Sequence, residues 1–394
     1  MPGLGKYQEF AAVPSRLRQG ASQLPPTANP VQALEAGIVL NRTQKLWDEG
    51  KIPEALHACN DILKTDPNHA GALYMMGMLA LELGALDMAI GSLERAAASS
   101  PGTTRILVGL GQAFAKSGQP VKAAGVYTKA LQLSPNSGAA YRGLGLVQLD
   151  LDQRGNALKS FRKALKINPD DQFATYMLAA LADAAPVAPE GYVPALFDSY
   201  AEQFDLHLTG KLGYRIPEEI AELVGTRYAG DAIASAVDLG CGTGLVGAAL
   251  GARVAAIDGV DLSPRMLAKA ADRGIYRTLR EGDATDILNR DAGFAGPYDL
   301  ATAADVFIYI GRLEAAFAAV KARLAPKGLF AFSVEVADQG EVDIRSSGRF
   351  VHSHAYIAGL AEAFDFSIVE QKALIIRQEI DVPVPGTLYL LRSR

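Results

Sequence analysis

Hydrophobic residues follow two different rhythms along this chain of 394 residues. In the first, residues of fixed size recur every 34 positions. Prolines stand at 67, 101, 135 and 169, alanines at 55, 89, 123 and 157 and again at 96, 130 and 164, and glycines at 77, 111 and 145. A repeat of that length is one pair of helices. Small residues at Gly111 and Ala123 let the two helices of a unit touch, and Leu107, Leu110, Phe114 and Tyr127 fill the seam. Pro135 ends the second helix, since proline cannot continue one. The first unit departs from the pattern, with Thr43 where glycine is expected. Asp170 to Ala185 predicts one more helix, which caps the stack.

The second rhythm begins after Ala234. Short apolar runs predict strands at 235–240, 254–260, 276–280, 298–303, 328–335, 366–376 and 386–392. The stretches between them predict helices at 243–251, 264–273, 312–325 and 353–363, and a helix before the first strand runs from Pro217 to Arg227. Alternating strands and helices imply a doubly wound sheet. The last two runs have no helix between them and predict an antiparallel hairpin at one edge. Pro186, Pro189, Gly191 and Pro194 break helical periodicity and mark the boundary between the two rhythms. The predicted organisation is therefore a flexible arm over 1–30, a helical array over 31–186 and an α/β domain over 187–394.

The candidate chemistry sits where the first run of the second region breaks. Val237-Asp238-Leu239-Gly240-Cys241-Gly242-Thr243-Gly244 reads as a strand turning into a helix through three glycines, which permit a tight turn and close approach to a ligand. Asp261 ends the following run, so its carboxylate lies at the tip of a neighbouring strand, in reach of a ribose diol. The spacing G-x-G-x-G differs from the dinucleotide fingerprint, whose third glycine comes one position later, and that disfavours a hydride-transfer enzyme. Asp238, two residues before the first glycine, suits a ligand carrying an ammonium group rather than a phosphate.

These features resemble motif I of the class I S-adenosylmethionine (SAM) methyltransferases, whose fold is a seven-stranded Rossmann-like sheet. The array resembles the tetratricopeptide repeat (TPR). The resemblance implies cofactor contacts at Asp238, Gly240, Cys241, Gly242, Gly244, Asp261, Leu262 and Met266, with Met266 either lining the adenine pocket or packing in its helix. At Gly282-Asp283-Ala284 it implies an acid that accepts a hydrogen bond from the adenine amino group, a role that a helix cap at Asp283 does not exclude. Tyr200 and Tyr214 are expected at the methionine end, and Asp305 beside the methyl donor. Ser263 and Pro264 read as the cap and first residue of a helix, and Leu324-Ala-Pro-Lys-Gly328 as the turn into strand five. Asp305-Val-Phe-Ile-Tyr309-Ile-Gly311, Phe332-Ser-Val-Glu335, Gly348-Arg-Phe-Val-His352-Ser353 and Arg377-Gln-Glu379 look like bacterial TPR-containing methyltransferases. The catalytic half is also similar to the Williams–Beuren-region methyltransferase group.

A base is needed only where the acceptor is a neutral hydroxyl or a protonated amine. Candidates are His352, His354, Glu335 and Tyr309. Two of the five histidines stand here, in a predicted loop before a helix; His352 either removes a proton or caps that helix and packs on the sheet. Groove-facing positions of the array include Leu40, Trp47, Tyr74, Met78, Leu81, Arg105, Val108, Lys116, Arg142 and Leu146. They either pack within the molecule or form a docking groove.

Composition narrows the classes. Apolar residues make up 49% and charged residues 21%, so ordinary cores can form. A net charge of −5 argues against a dedicated nucleic-acid binder, as does Ala304-Asp-Val-Phe307 in place of the Asn/Asp-Pro-Pro-Tyr of enzymes that methylate exocyclic amines. The two cysteines, Cys59 and Cys241, suggest neither disulfides nor a metal site. No membrane span is expected, and the chain reads as cytoplasmic. The leading expectation is a SAM-dependent methyltransferase acting on oxygen or nitrogen of a small or medium-sized metabolite and releasing S-adenosylhomocysteine, with the array docking substrate or a protein partner. The alternatives are a protein or peptide methyltransferase recruited by the array groove, and a non-catalytic SAM-binding scaffold.

Overall fold

The computed structural model describes residues 30–181, 197–198, 213–228, 233–337, 340–379 and 382–394. Contacts divide the chain into two compact units, Met1–Ala174 and Thr175–Arg394. The predicted arm, 1–30, and Tyr200 lie outside the described residues, apart from Pro30, which opens the first helix.

The first unit is four helical pairs: α1 (Pro30–Asp48) with α2 (Ile52–Thr65), α3 (Ala70–Glu82) with α4 (Leu86–Ser99), α5 (Thr104–Lys116) with α6 (Pro120–Leu133), and α7 (Gly138–Asp150) with α8 (Arg154–Ile167). A further helix, α9 (Gln172–Leu181), follows them. The period has a steric cause. A Cβ built on Gly77 would stand 2.5 Å from Leu93, one on Gly111 2.7 Å from Tyr127 and one on Gly145 2.9 Å from Phe161. Each glycine on the first helix of a pair seats a large side chain 16 residues later on the second. The first pair reverses the sizes. Thr43 is fully buried and its hydroxyl is bonded to the Val39 carbonyl at 2.8 Å, and 16 residues later the chain carries the small, fully buried Cys59. Burial and the Thr43 hydroxyl act on that thiol in opposite senses; burial prevails and lifts its pKa to about 11.

Turns obey the same period. Gly50, Gly84 and Gly118 hold φ of 72°, 73° and 70°, and Asp152 takes the equivalent left-handed position at 56°. At the starts of the first helices His69 Nδ1, Ser137 Oγ and Asp171 Oδ1 accept from Ala72, Ala140 and Ala174 N–H groups, which would otherwise lack helical partners. Several predicted groove residues are occupied within the array. Leu81 and Leu146 are buried, the Arg105 guanidinium lies 4.2 Å from the Tyr74 ring centre, Arg142 pairs with Asp171 at 3.1 Å, and Trp47 Nε1 donates to the Glu82 carboxylate.

The second unit carries the predicted seven-stranded sheet: β1 (Ala236–Leu239), β2 (Ile257–Asp261), β3 (Thr278–Glu281), β4 (Tyr298–Ala303), β5 (Leu324–Glu335), β8 (Phe366–Glu379) and β9 (Val382–Ser393), in the order β3-β2-β1-β4-β5-β9-β8. Neighbours pair in parallel except β9, which runs antiparallel to both β5 and β8. The final hairpin thus sits at the edge with its second strand inserted inward. The expectation of a helical array followed by an α/β methyltransferase-like sheet holds. Strand order reverses between β1 and β4, and in open α/β sheets such a switch point is where ligands bind, at the strands' carboxyl ends.

Alternation along each strand divides the core in two. Val237, Leu239, Phe330, Phe332 and Tyr389 face one layer, where the Phe317 ring of α14 (Glu314–Arg323) lies 5.6 Å from both Phe330 and Phe332. Ala236, Leu329, Ala331 and Leu388 face the other, packing with Ile216, Ile220 and Val224 of α10 (Ile216–Arg227).

Several features differ from the expectation, among them Leu324–Gly328, expected as a turn, which lies within β5. Strand β2 starts at Ile257, because Val254 makes only an isolated bridge to Ile233 and the chain bends at Ala255 before the ladder begins. Ala284–Arg290 is an additional helix, α13, too short to carry a periodic signal. His352 is not in a loop: Val342–Ile344 (β6) and Phe350–His352 (β7) pair as an antiparallel ribbon whose three-residue strands are likewise too short to read as apolar alternation. Among the described residues no helix is long and apolar enough to cross a membrane.

Candidate active site

The glycine loop is shaped by backbone needs that a side chain would violate. Gly240, Gly242 and Gly244 have φ of 63°, 53° and 87°. A Cβ at Gly240 would lie 2.5 Å from Val306, and one at Gly244 2.9 Å from the Tyr276 ring. The loop is then pinned to the next strand. Cys241 N–H donates to the Val260 carbonyl at 2.9 Å, and Gly242 N–H to Asp261 Oδ2 at 2.8 Å. Asp261 Oδ1 accepts from Ser263 N–H, also at 2.8 Å. Each oxygen of this carboxylate therefore accepts a backbone bond, Leu262 N–H adds a third, and with about four lone-pair sites the group retains acceptor capacity for a ligand diol. Burial raises its pKa against those backbone bonds. Gly282 N–H donates to the Asp261 carbonyl at 3.0 Å, which brings Gly282-Asp283-Ala284 beside it.

Helix α12 (Pro264–Asp272) leaves this corner with Ser263 as cap, its Oγ accepting from Met266 N–H at 3.1 Å. The same hydroxyl donates to Asp198 Oδ1 at 2.6 Å. Met266 is buried in the core and Leu262 half-buried. Asp283 caps α13 by accepting from Asp286 N–H at 3.0 Å, and it remains half-exposed.

Asp238 is enclosed. It is 1% exposed, Oδ1 accepts from Thr302 Oγ1 at 2.7 Å and Oδ2 from the Tyr276 hydroxyl at 2.7 Å. Burial lifts its pKa to about 6, against the two hydrogen bonds, with the charge of Asp261 adding to the rise. The thiol of Cys241, also buried, is pushed up by burial and by the charges of Asp238 and Asp261.

At the end of β4, Asp305 adopts φ of 55°, a left-handed position uncommon outside glycine. Its N–H donates to Ser333 Oγ, which in turn donates to Asp305 Oδ1, both at 2.9 Å. Arg377 reaches from β8 to Asp305 Oδ2 at 3.0 Å and also donates to Glu335. Burial raises the Asp305 pKa more than Arg377 lowers it, with the Glu335 charge adding to the rise. Tyr214 is 5% exposed; its hydroxyl is pushed well upward by burial and then by the charges of Asp305 and Asp238, which places the phenol near both acids. A polar cluster thus stands beside the glycine loop at the switch point.

The four candidate bases are differently placed, Glu335 being the partner of Arg377. Tyr309, half-buried, meets the Phe197 ring edge-on with centroids 5.5 Å apart. His352 is 1% exposed, and its Nε2 donates to the carbonyls of Gly311 at 2.9 Å and Ile310 at 3.1 Å. Carbonyls only accept, so this nitrogen carries the ring proton. Nδ1 is buried with no partner among the described residues. Burial lowers the pKa to about 4 against those backbone bonds. The ring is a neutral wedge stacked 5.9 Å from Tyr356. His354, exposed, meets the Tyr389 hydroxyl at 3.1 Å through Nδ1.

Sequence reasoning assigned no site role to Tyr276, Thr302, Asp198, Ser333 and Arg377. Two of them left a trace. Gly259 inside an apolar strand signals close neighbours, and these are Tyr276 and Leu279, each 2.8 Å from where its Cβ would be. Arg377 follows the run Ala373-Leu-Ile-Ile376, where a buried charge demands paired acids.

Residues 237–330 match the model of a methyltransferase domain, and residues 42–104, 74–138 and 108–172 match that of the tetratricopeptide repeat. A stretch of 144 residues, 35% of this chain, is 24% identical to human protein O-mannosyl-transferase TMTC3, of which the chain spans only 16%. Among solved structures, the thermophilic TPR protein TTC0263 of Thermus thermophilus is 22% identical, covering 43% of this chain and 90% of that one at a TM-score of 0.35. A SAM-dependent methyltransferase from Clostridium acetobutylicum is 18% identical, covering 50% and 98% at 0.38. The N-methyltransferase NodS of Bradyrhizobium japonicum, solved with S-adenosylhomocysteine, is 19% identical, covering 50% and 98% at 0.37.

Proposed function

From a chain that joins tetratricopeptide repeats to a methyltransferase domain, we propose a SAM-dependent methyltransferase that acts on an oxygen or nitrogen of a small or medium-sized metabolite, with the repeat module docking substrate or a protein partner. The observation that carries this reading is the pairing of Asp261 with the glycine loop. A carboxylate with spare acceptor capacity stands against a loop whose φ angles favour glycine, beside the strand-order switch point. That donor and acceptor set fits SAM: the loop backbone for close approach, Asp261 for the ribose hydroxyls, Asp283 for the adenine amine and the charge of Asp238 for the ammonium group.

SAM, when bound, supplies a methyl group made electrophilic by its sulfonium. The chain's residues contribute position, polarity and exclusion of water. Asp305, Ser333, Arg377 and Glu335 form a hydrogen-bonded polar end, which suits an acceptor with a lone pair. Ser333 holds Asp305 Oδ1 and Arg377 holds Oδ2, which fixes the orientation of this carboxylate at that end. His352, whose ring is buried, is assigned to holding the β7 ribbon against Ile310 and Gly311.

Calorimetric titration with SAM and with S-adenosylhomocysteine tests this reading. Micromolar binding of both is expected, weakened by about 1–3 kcal/mol in Asp261→Ala through loss of charge-assisted hydrogen bonds. No binding by folded wild-type protein overturns it.

A further inference from the structure

Tyr276 stands just ahead of β3 and takes no part in the cofactor contacts assigned above, yet the chain is built around it. A Cβ added at Gly244 would lie 2.9 Å from its ring, one at Gly247 2.8 Å from its hydroxyl oxygen, and one at Gly259 2.8 Å from its ring. Three glycines from three elements, the loop, α11 (Leu245–Leu250) and β2, thus leave a slot of phenol size. The hydroxyl at the end of that slot donates to Asp238 Oδ2 at 2.7 Å. Thr302 holds the other oxygen, also at 2.7 Å. Both donors are neutral, so they stabilise the charge of Asp238 without cancelling it.

Resting on the SAM reading above, we propose that Tyr276 is a positioning residue of the methyl-donor site: with Thr302 it keeps Asp238 ionised beside the glycine loop, so that the carboxylate's charge is available to the ammonium group of the donor. The groups that face Asp238 are few. Asp261 from β2 and Cys241 from the loop oppose its ionisation or gain nothing from it, Tyr214 adds a neutral phenol, and Tyr276 and Thr302 are its donors. Among the described residues no cation acts on it. Ionisation therefore depends on the two hydroxyls. Asp238 stands at about 6, so losing one donor carries it toward or past neutrality.

The test is calorimetric titration of the full chain with SAM between pH 5 and 7, with 5′-methylthioadenosine, which lacks the amino-acid end, as the second probe. In wild type, SAM affinity is expected to fall below about pH 6, approaching tenfold per unit where binding requires the ionised carboxylate. In Tyr276→Phe, which keeps the ring in its slot, the midpoint moves up by about one unit, so SAM binds several-fold more weakly at pH 6 than in wild type. The methylthioadenosine profile does not move. Thr302→Val shifts the SAM midpoint in the same direction and serves if the phenylalanine variant fails to fold. An unchanged midpoint in a folded variant overturns the proposal, as does an equal shift for methylthioadenosine, which reduces the ring to shaping the loop. Wild-type protein that is folded yet binds neither probe overturns the SAM reading instead.

Discussion

In the repeat array Gly77, Gly111 and Gly145 seat Leu93, Tyr127 and Phe161; in the sheet unit Gly240 and Gly244 seat Val306 and Tyr276. The array glycines lie within helices, where only space is needed. The loop glycines also hold φ of 63° and 87°, so they meet a steric and a conformational demand together. The difference teaches that the array tolerates exchange of sizes across a seam, as Thr43 and Cys59 demonstrate, whereas the loop does not. A left-handed backbone position has no partner side chain that could compensate for it.

Four changes break or sharpen that contrast. The largest effect belongs to Phe161→Ala, which empties a fully buried seat. Stability should fall by about 3–5 kcal/mol in denaturant unfolding, while SAM affinity of the protein that remains folded stays within about twofold. A parallel loss of affinity would erase the distinction between the units.

Next is a pH effect confined to the sheet unit. His352, lowered from 6.5 to about 4, remains neutral in the fold where the unfolded chain protonates. Its contribution, on the order of 3 kcal/mol, is complete above pH 6.5 and is lost as pH falls toward 4. Asp238, raised from 3.8 to about 6, acts in reverse. It disfavours the fold above pH 6, and that cost, also on the order of 3 kcal/mol, vanishes as pH falls through 6 toward 3.8. The two slopes oppose each other between pH 4 and 6. Unfolding curves should therefore show Asp238→Asn losing stability on acidification through this window more steeply than wild type. Equal slopes would refute the burial of one charge or the other.

Gly240→Ala combines a left-handed alanine with a contact at 2.5 Å. We expect it to cost about 2–3 kcal/mol, read chiefly as weakened SAM binding. Gly111→Ala should cost less, because the gain in helix propensity, about 1 kcal/mol, offsets part of its clash with Tyr127. Similar costs at both sites would mean that backbone conformation adds nothing at the loop.

The smallest effect sharpens the seam argument. Thr43→Gly and Cys59→Leu convert the first pair to the pattern of the second. A double-mutant cycle should return a favourable coupling on the order of 1 kcal/mol, and strict additivity would deny that the two positions exchange size.

Much of this molecule was legible in its sequence. The 34-residue period fixes a helical array because three of its four units meet the same steric demand, and it extends to turn glycines 50, 84 and 118, which the pattern of prolines and alanines overshadowed. The strand runs, the terminal hairpin and the positions of the glycine loop and Asp261 followed from local pattern, since each depends on neighbours close along the chain. The β6–β7 ribbon and α13 were not legible, being too short to show an apolar rhythm.

What the sequence determined, then, was which residues sit at the ends of strands, because alternation and glycine placement are local properties. Tertiary structure alone decided the state of those residues. Burial keeps the His352 ring neutral, and the fold gave Asp238 two hydroxyl partners 38 and 64 residues away. It also brought Arg377 across 72 residues to Asp305. Charge state depends on desolvation and on contacts made through space, and neither is written in the order of residues along the chain.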